Sequence, residues 1–105
     1  MKITCLDNCS ILELEESSKL RSLISFLDKN KSLCPHVIID IINFNIDDSK
    51  IIKSLLPFRL NWEKRNKSFI LVSLIEKDLL QDLISLSSRE EAVDFFHMEE
   101  LTRTI

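Results

Sequence analysis

Asp47, Asp48, Ser49 and Lys50 bring two carboxylates, a hydroxyl and an ammonium together in four consecutive positions of this 105-residue chain. Three kinds of chemistry follow from such a run. The carboxylates suit the positive end of a helix macrodipole, and Asp48 or Ser49 can accept the orphan N–H groups of a first turn. Ser49 is a candidate phosphoacceptor: a phosphate at a helix N-terminus meets the same free N–H groups, although the two aspartates would repel it. The adjacent carboxylates are also a minimal divalent-cation site, and a small enzyme would draw on Asp47 and Asp48.

The remaining chemistry is sparse. The two histidines are His36 and His97, and a zinc hydrolase needs several histidines or carboxylates in ligand spacing. No such cluster is present, so neither a metal nor a cofactor is expected. His97, with Asp94, Glu99 and Glu100 nearby, reads as a partly exposed helix residue. Cys34 and His36 lie too close along one extended segment to form a nucleophile–base dyad easily. Cys5 and Cys9 read as core or turn packing. Three cysteines do not make a disulfide framework, and without an export signal a reducing cytoplasm is the expected location. Glycine is absent, which removes the Walker loop and the dinucleotide fingerprint.

Composition excludes further classes. Fourteen basic against 17 acidic residues give a formal charge of −3, so no global basic field exists to hold a nucleic-acid backbone. No apolar stretch approaches the roughly 20 residues that span a bilayer, and no signal-peptide h-region opens the chain. With 45% hydrophobic and 30% charged residues, the chain reads as one soluble domain over residues 1–105.

The elements that must position Asp47–Lys50 follow from hydrophobic period. Ile3 and Cys5 alternate with polar residues, as do Leu12 and Leu14, which predicts a hairpin turning at Asp7-Asn8, its second strand with one wet face. Leu20, Leu23, Ile24 and Leu27 form one helical stripe, capped by Ser17 or Ser18. That helix ends in the polar Lys29-Asn30-Lys31-Ser32, and Pro35 blocks its continuation. His36 to Ile42 is a continuous apolar run, the mark of a strand covered on both faces. The turn beyond the carboxyl end of such a strand is where ligands and partners dock. A helix then runs from Lys50 to about Lys64, with a kink or break expected at Pro57. Ser68 to Leu74 repeats the buried-strand pattern, Glu76 to Leu80 allows one or two helical turns, and Leu83 to Ser87 is a short last strand. Ser88-Arg89-Glu90-Glu91 is a capping box opening a helix to about Arg103, with Ala92, Val93 and Phe96 toward the sheet and Leu101 near that side. The order β-β-α-β-α-β-(short α)-β-α predicts an α/β fold: a mixed, largely parallel sheet of about five strands with helices packed on it.

The order of elements, with Val37-Ile38-Ile39-Asp40-Ile41, the Asp48-Ser49 turn, Phe69-Ile70-Leu71-Val72 and Arg89-Glu90-Glu91-Ala92-Val93, resembles the STAS domain. That family includes the anti-sigma-factor antagonists. The likeness spans about Ile11 to Arg103. It implies a protein partner, an anti-sigma factor of kinase type, that phosphorylates the second serine of an Asp-Ser-Ser-Gly turn. Counting without a gap from Asp40 aligns Asp48-Ser49-Lys50-Ile51 with that turn and puts Ile52, Leu55 and Leu56 on the family's apolar helix positions; Lys50 then replaces the phosphoacceptor. A register with one deletion aligns Asp47-Asp48-Ser49-Lys50, makes Ser49 the acceptor and puts Ser54 on an apolar position. The family's glycine is missing in both. Asn66-Lys67-Ser68-Phe69, Glu91-Ala92 and Met98-Glu99-Glu100-Leu101 are also similar to short bacterial STAS-like chains, some named ribonuclease Z, but the His-rich di-zinc motif of that activity is absent here.

The expectation is therefore a STAS-like, non-catalytic interaction module whose partner meets Asp47 to Lys50 and the exposed side of the following helix. The alternatives are a phosphoswitch on Ser49 and a small enzyme using Asp47 and Asp48. Phe58 and Trp62 are expected to leave a sticky patch for a homodimer.

Overall fold

The computed structural model describes residues 1–6, 8–30 and 36–104. Its elements are β1 (Lys2–Leu6), β2 (Cys9–Glu13), α1 (Leu20–Asn30), β3 (His36–Asp40), α2 (Asp48–Lys64), β4 (Phe69–Val72), α3 (Lys77–Leu80), β5 (Ile84–Leu86) and α4 (Arg89–Thr104). The five strands lie in sequence order in one sheet. β1 and β2 pair antiparallel, and the remaining three pairings are parallel. This is the mixed, largely parallel α/β fold that the hydrophobic periods predict. The Asp7 half of the expected turn, Cys34, Pro35 and the polar link at Lys31-Ser32 lie outside the described residues.

Constant handedness explains the layering. From β2 to β5 every crossover steps one strand in the same direction, so right-handed connections must all pass over one face. Leu23 and Leu27 of α1, Ile51, Ile52, Leu55 and Trp62 of α2, and Leu80 of α3 accordingly share one core with Leu12, Val37, Ile39, Phe69 and Leu71. α4 follows the last strand and returns across the other face, where Ala92 and Phe96 pack on Cys9, Ile11, Ile38, Ile70 and Val72. All five residues of β3 and all four of β4 are buried.

Several sequence-based expectations are corrected by this layering. β2 has no wet face of the kind its alternation suggests: Ile11 and Leu12 are both buried, because α4 covers the second side. β3 ends at Asp40 rather than Ile42, which is exposed. α1 begins at Leu20, since the Ser18 hydroxyl accepts the N–H of Glu15 instead of capping the helix. α2 is unbroken through Pro57. Both Pro57 and Lys53 are exposed, so water can serve the carbonyl that the proline leaves without a donor. Leu101 is exposed rather than near the sheet. The capping box at Ser88 forms by half: Ser88 Oγ accepts the Glu91 N–H, whereas the Glu91 carboxylate takes the hydroxyl of Ser87.

The expected Phe58/Trp62 patch does not exist. Trp62 is fully buried, edge-on to Phe69 with ring centroids 5.5 Å apart and with the Arg65 guanidinium 4.9 Å from its ring centroid. Phe58 is packed against the same core. The helix ends at Lys64 because Asn66 takes φ 58°, so that Lys67 N–H reaches the Trp62 carbonyl and Asn66 N–H that of Glu63. This Schellman closure is the commonest use of glycine at a helix end; in a glycine-free chain asparagine supplies it.

Ile39 lies at the centre of the doubly covered strand, with no exposed surface. Ile39→Ala is expected to cost about 2–5 kcal/mol, the range for emptying a well-packed aliphatic site. Urea unfolding followed by the fluorescence of Trp62, the single tryptophan, measures it. A loss below about 1 kcal/mol would mean that this face of β3 is not packed as described.

Candidate functional site

The predicted residues Asp47, Asp48, Ser49 and Lys50 sit at the start of α2, at the carboxyl end of the sheet. Asp47 is the N-cap, with φ −63° and ψ 130°. Its Oδ2 accepts the Lys50 N–H at 3.3 Å, and its carbonyl accepts the N–H groups of Lys50 and Ile51, each at 3.1 Å. The cap is therefore Asp47, one residue earlier than the expected Asp48 or Ser49. Asp48, Ser49 and Lys50 form the exposed first turn. Among the described residues no group of three His, Cys, Asp or Glu side chains could hold a metal ion.

Beside this turn the loops after β3 and β4 meet. Ile41, Ile42, Phe44, Ile46, Leu74 and Ile75 line a cleft of about 260 Å³ with Asp48 at its rim. Leu74 is 75% exposed and Ile42 41%, while Phe44, Ile46 and Ile75 are half-buried on the core beneath. A wider, shallower hollow runs from Ile42, Asn43 and Phe44 to Glu15 and Glu16. The surface so formed carries exposed Ile42 and Leu74, with the acidic Glu15, Glu16 and Asp48 at its edges.

The loop is anchored from behind by a contact that the sequence did not disclose. Asp40 ends β3 with its side chain on the α4 face. Its Oδ1 accepts the Ile42 N–H at 3.2 Å, which starts the loop, and its Oδ2 accepts from Arg89 at 2.9 Å. The same Arg89 nitrogen lies 3.1 Å from Glu13 Oε1. The hydrogen bond to Asp40 is the main cause that holds the Arg89 guanidinium still more firmly charged than usual. A cation at a helix N-terminus opposes the macrodipole; here two carboxylates offset it. The first turn of α4 is thus coupled to the backbone of the loop after β3.

The opposite end of β3 carries a second polar cluster. His36 is buried, its Nδ1 accepts the Ser68 N–H at 3.0 Å, and its Nε2 lies 3.1 Å from Glu100 Oε1. Arg103 donates to Glu100 at 2.8 Å and to Ser68 Oγ at 3.1 Å, and Ser68 donates to Glu99 at 2.7 Å. An Nδ1 that accepts an N–H must be unprotonated, so the neutral Nε2–H tautomer donates to Glu100. Burial pushes the His36 pKa below its ordinary value, and nearby Arg103, Lys67 and Arg65 add to this against the pull of Glu100. His97, by contrast, is exposed as expected.

A period-two reading of β3 contains the missed signal. His36 and Asp40 are the polar ends of an otherwise apolar buried strand, four residues apart and therefore on one face. Buried polar groups require partners, and α4 supplies Arg89 and Glu100. Scans against models of protein families and against curated proteins return no match.

Two predictions follow from the pair of anchors. Arg89→Ala should cost about 1–2 kcal/mol by leaving the Asp40 carboxylate buried without its cation, and it should speed hydrogen exchange at Ile42 N–H. Unchanged exchange there would separate the loop from α4. For His36, the unfolded chain binds a proton at a higher pH than the folded chain does. Stability present at neutral pH is therefore lost as pH falls from about 6.5 through the lower folded-state value. Urea midpoints near pH 7.5 and 5.5 should differ more for the wild type than for His36→Gln; equal drops would remove His36 as the cause.

Proposed function

We propose that this chain is a STAS-like, non-catalytic regulatory module that binds a protein partner through the carboxyl edge of its sheet. The observation that carries this reading is the ridge of Ile42, Phe44, Ile46, Leu74 and Ile75 beside the Asp47–Lys50 turn. The hairpin followed by parallel strands in sequence order, and a cap at the start of the helix after the central strand, fit the same reading. The partner presents an apolar surface flanked by basic groups, which meet Asp47 and Asp48. Lys50 stands in place of a phosphoacceptor, so binding does not wait on phosphorylation.

A second reading rests on Ser49. Its side chain is exposed in the first turn of α2, which leaves it open to a kinase of anti-sigma type. Asp47 and Asp48 weigh against a phosphate there through like-charge repulsion.

The test uses the intact chain as bait in extract of its native host, followed by affinity measurement with the protein identified. Ile42→Asp combined with Leu74→Asp should weaken that complex about 10-fold or more while leaving the fold intact, and Ser49→Ala should leave it within about 3-fold. Binding indifferent to the two aspartates would overturn the docking surface. Phosphate transferred from ATP to Ser49, with binding lost on phosphorylation, would establish the switch instead.

A further inference from the structure

We propose that β1 is the seam of a two-fold dimer, in which a second copy of this chain adds its own β1 antiparallel and joins two five-stranded sheets into one. This goes beyond the docking reading, because β2 lies between β1 and β3, and the ridge is in the loops after β3 and β4. Among the described residues β1 is an edge strand paired only with β2, and all five of its residues are exposed. Edge strands in monomers are usually blunted by proline, a bulge or several charges. β1 has no proline, its five pairings with β2 run without a bulge, and its one charge is Lys2.

Main-chain geometry limits the register. Leu6 and Cys9 close the hairpin as directly opposed residues. Hydrogen-bonded pairs alternate along an antiparallel ladder, so Leu6, Thr4 and Lys2 turn their main-chain groups to β2, and Ile3 and Cys5 turn theirs to the free edge. A second β1 can bond only where Ile3 and Cys5 of one copy meet those of the other. The arrangement that pairs all five residues sets Ile3 opposite Cys5 of the second copy, Thr4 opposite its own copy, and Lys2 opposite Leu6.

Charge selects the same arrangement. Opposed residues point to one face, so each Lys2 projects beside the Leu6 of the other copy. Leu6 lines a cleft of about 500 Å³ on the α4 face, with Ile11, Arg89, Glu90, Val93 and Asp94. Glu90 and Asp94 form no ion pair within the chain among the described residues, and neither does Lys2. The dimer places the unpaired cation of one copy over the unpaired carboxylates of the other, twice, as a self-complementary two-fold contact requires.

Sedimentation equilibrium of the full chain tests the proposal. Reversible dimerisation with a dissociation constant on the order of 1–50 µM is expected. Ile3→Pro removes an outward donor and spares the hairpin bonds, and Lys2→Glu brings like charges together; each should weaken dimerisation about 10-fold or more. Adding Glu90→Lys and Asp94→Lys to Lys2→Glu should restore it. In a Cys5→Ser background, Thr4→Cys should give a disulfide-linked dimer on mild oxidation, because a non-hydrogen-bonded pair brings the Cα atoms to about 4.5 Å. A monomer up to roughly millimolar concentration overturns the proposal, as does dimerisation unaffected by Ile3→Pro and Lys2→Glu. Failure of the charge swap to restore the dimer overturns the register.

Discussion

The structure depends on the double burial of β3. A strand covered on both faces must be apolar along its middle, and Val37, Ile38 and Ile39 are fully buried. Its ends then face a conflict, since buried polar groups cost free energy unless they are paired. His36 and Asp40 resolve it by turning to the same face and bonding to one helix. The four steps from His36 to Asp40 span about 13 Å of strand, and the eleven steps from Arg89 to Glu100 span about 16 Å of helix. The two distances match closely enough for α4 to grip both ends of the strand at once. Ala92 and Phe96 fill the middle. The polar contacts set where α4 lies along the sheet, and the apolar contacts hold it down.

The lack of glycine adds a second constraint. Every turn that needs a left-handed residue must use one with a side chain. Asn8 closes the hairpin at φ 67°, Asn66 ends α2 at φ 58°, and Gln81 follows α3 at φ 55°. Asparagine tolerates this conformation better than most residues.

Much of the fold was legible because period and length separate its parts. The apolar runs around Val37–Ile41 and Phe69–Val72, and the stripe of Leu20, Leu23 and Leu27, admit few alternatives. What the sequence concealed were long-range contacts. The alternation of Leu12 with Glu13 signals one wet face, but only knowledge that α4 crosses back shows why Ile11 is buried as well. Trp62 reads as a surface aromatic until α2 is laid on β4. The position of Asp47–Lys50 was legible, and its details were not: these residues open a helix at the sheet's carboxyl edge, as the pattern of strand, turn and helix requires. Which carboxylate caps is a matter of a single residue's backbone angles. The Asp40–Arg89 pair, 49 residues apart, has no local signature.

The two ends of β3 are held in different ways. At the amino end, His36, Ser68, Glu99, Glu100 and Arg103 bond to one another, and a network satisfied internally offers little to a partner. At the carboxyl end the anchor is sparser. Asp40 and Arg89 fix only the first residue of the loop, and beyond it Ile42 and Leu74 are left in water. Leaving apolar surface exposed there lowers the stability of the isolated chain, whereas charged substitutions at two exposed positions would have been structurally free. On the proposed docking reading, a partner would cover that apolar surface. The tight amino end keeps α4, and through Arg89 the base of the loop after β3, in a fixed position.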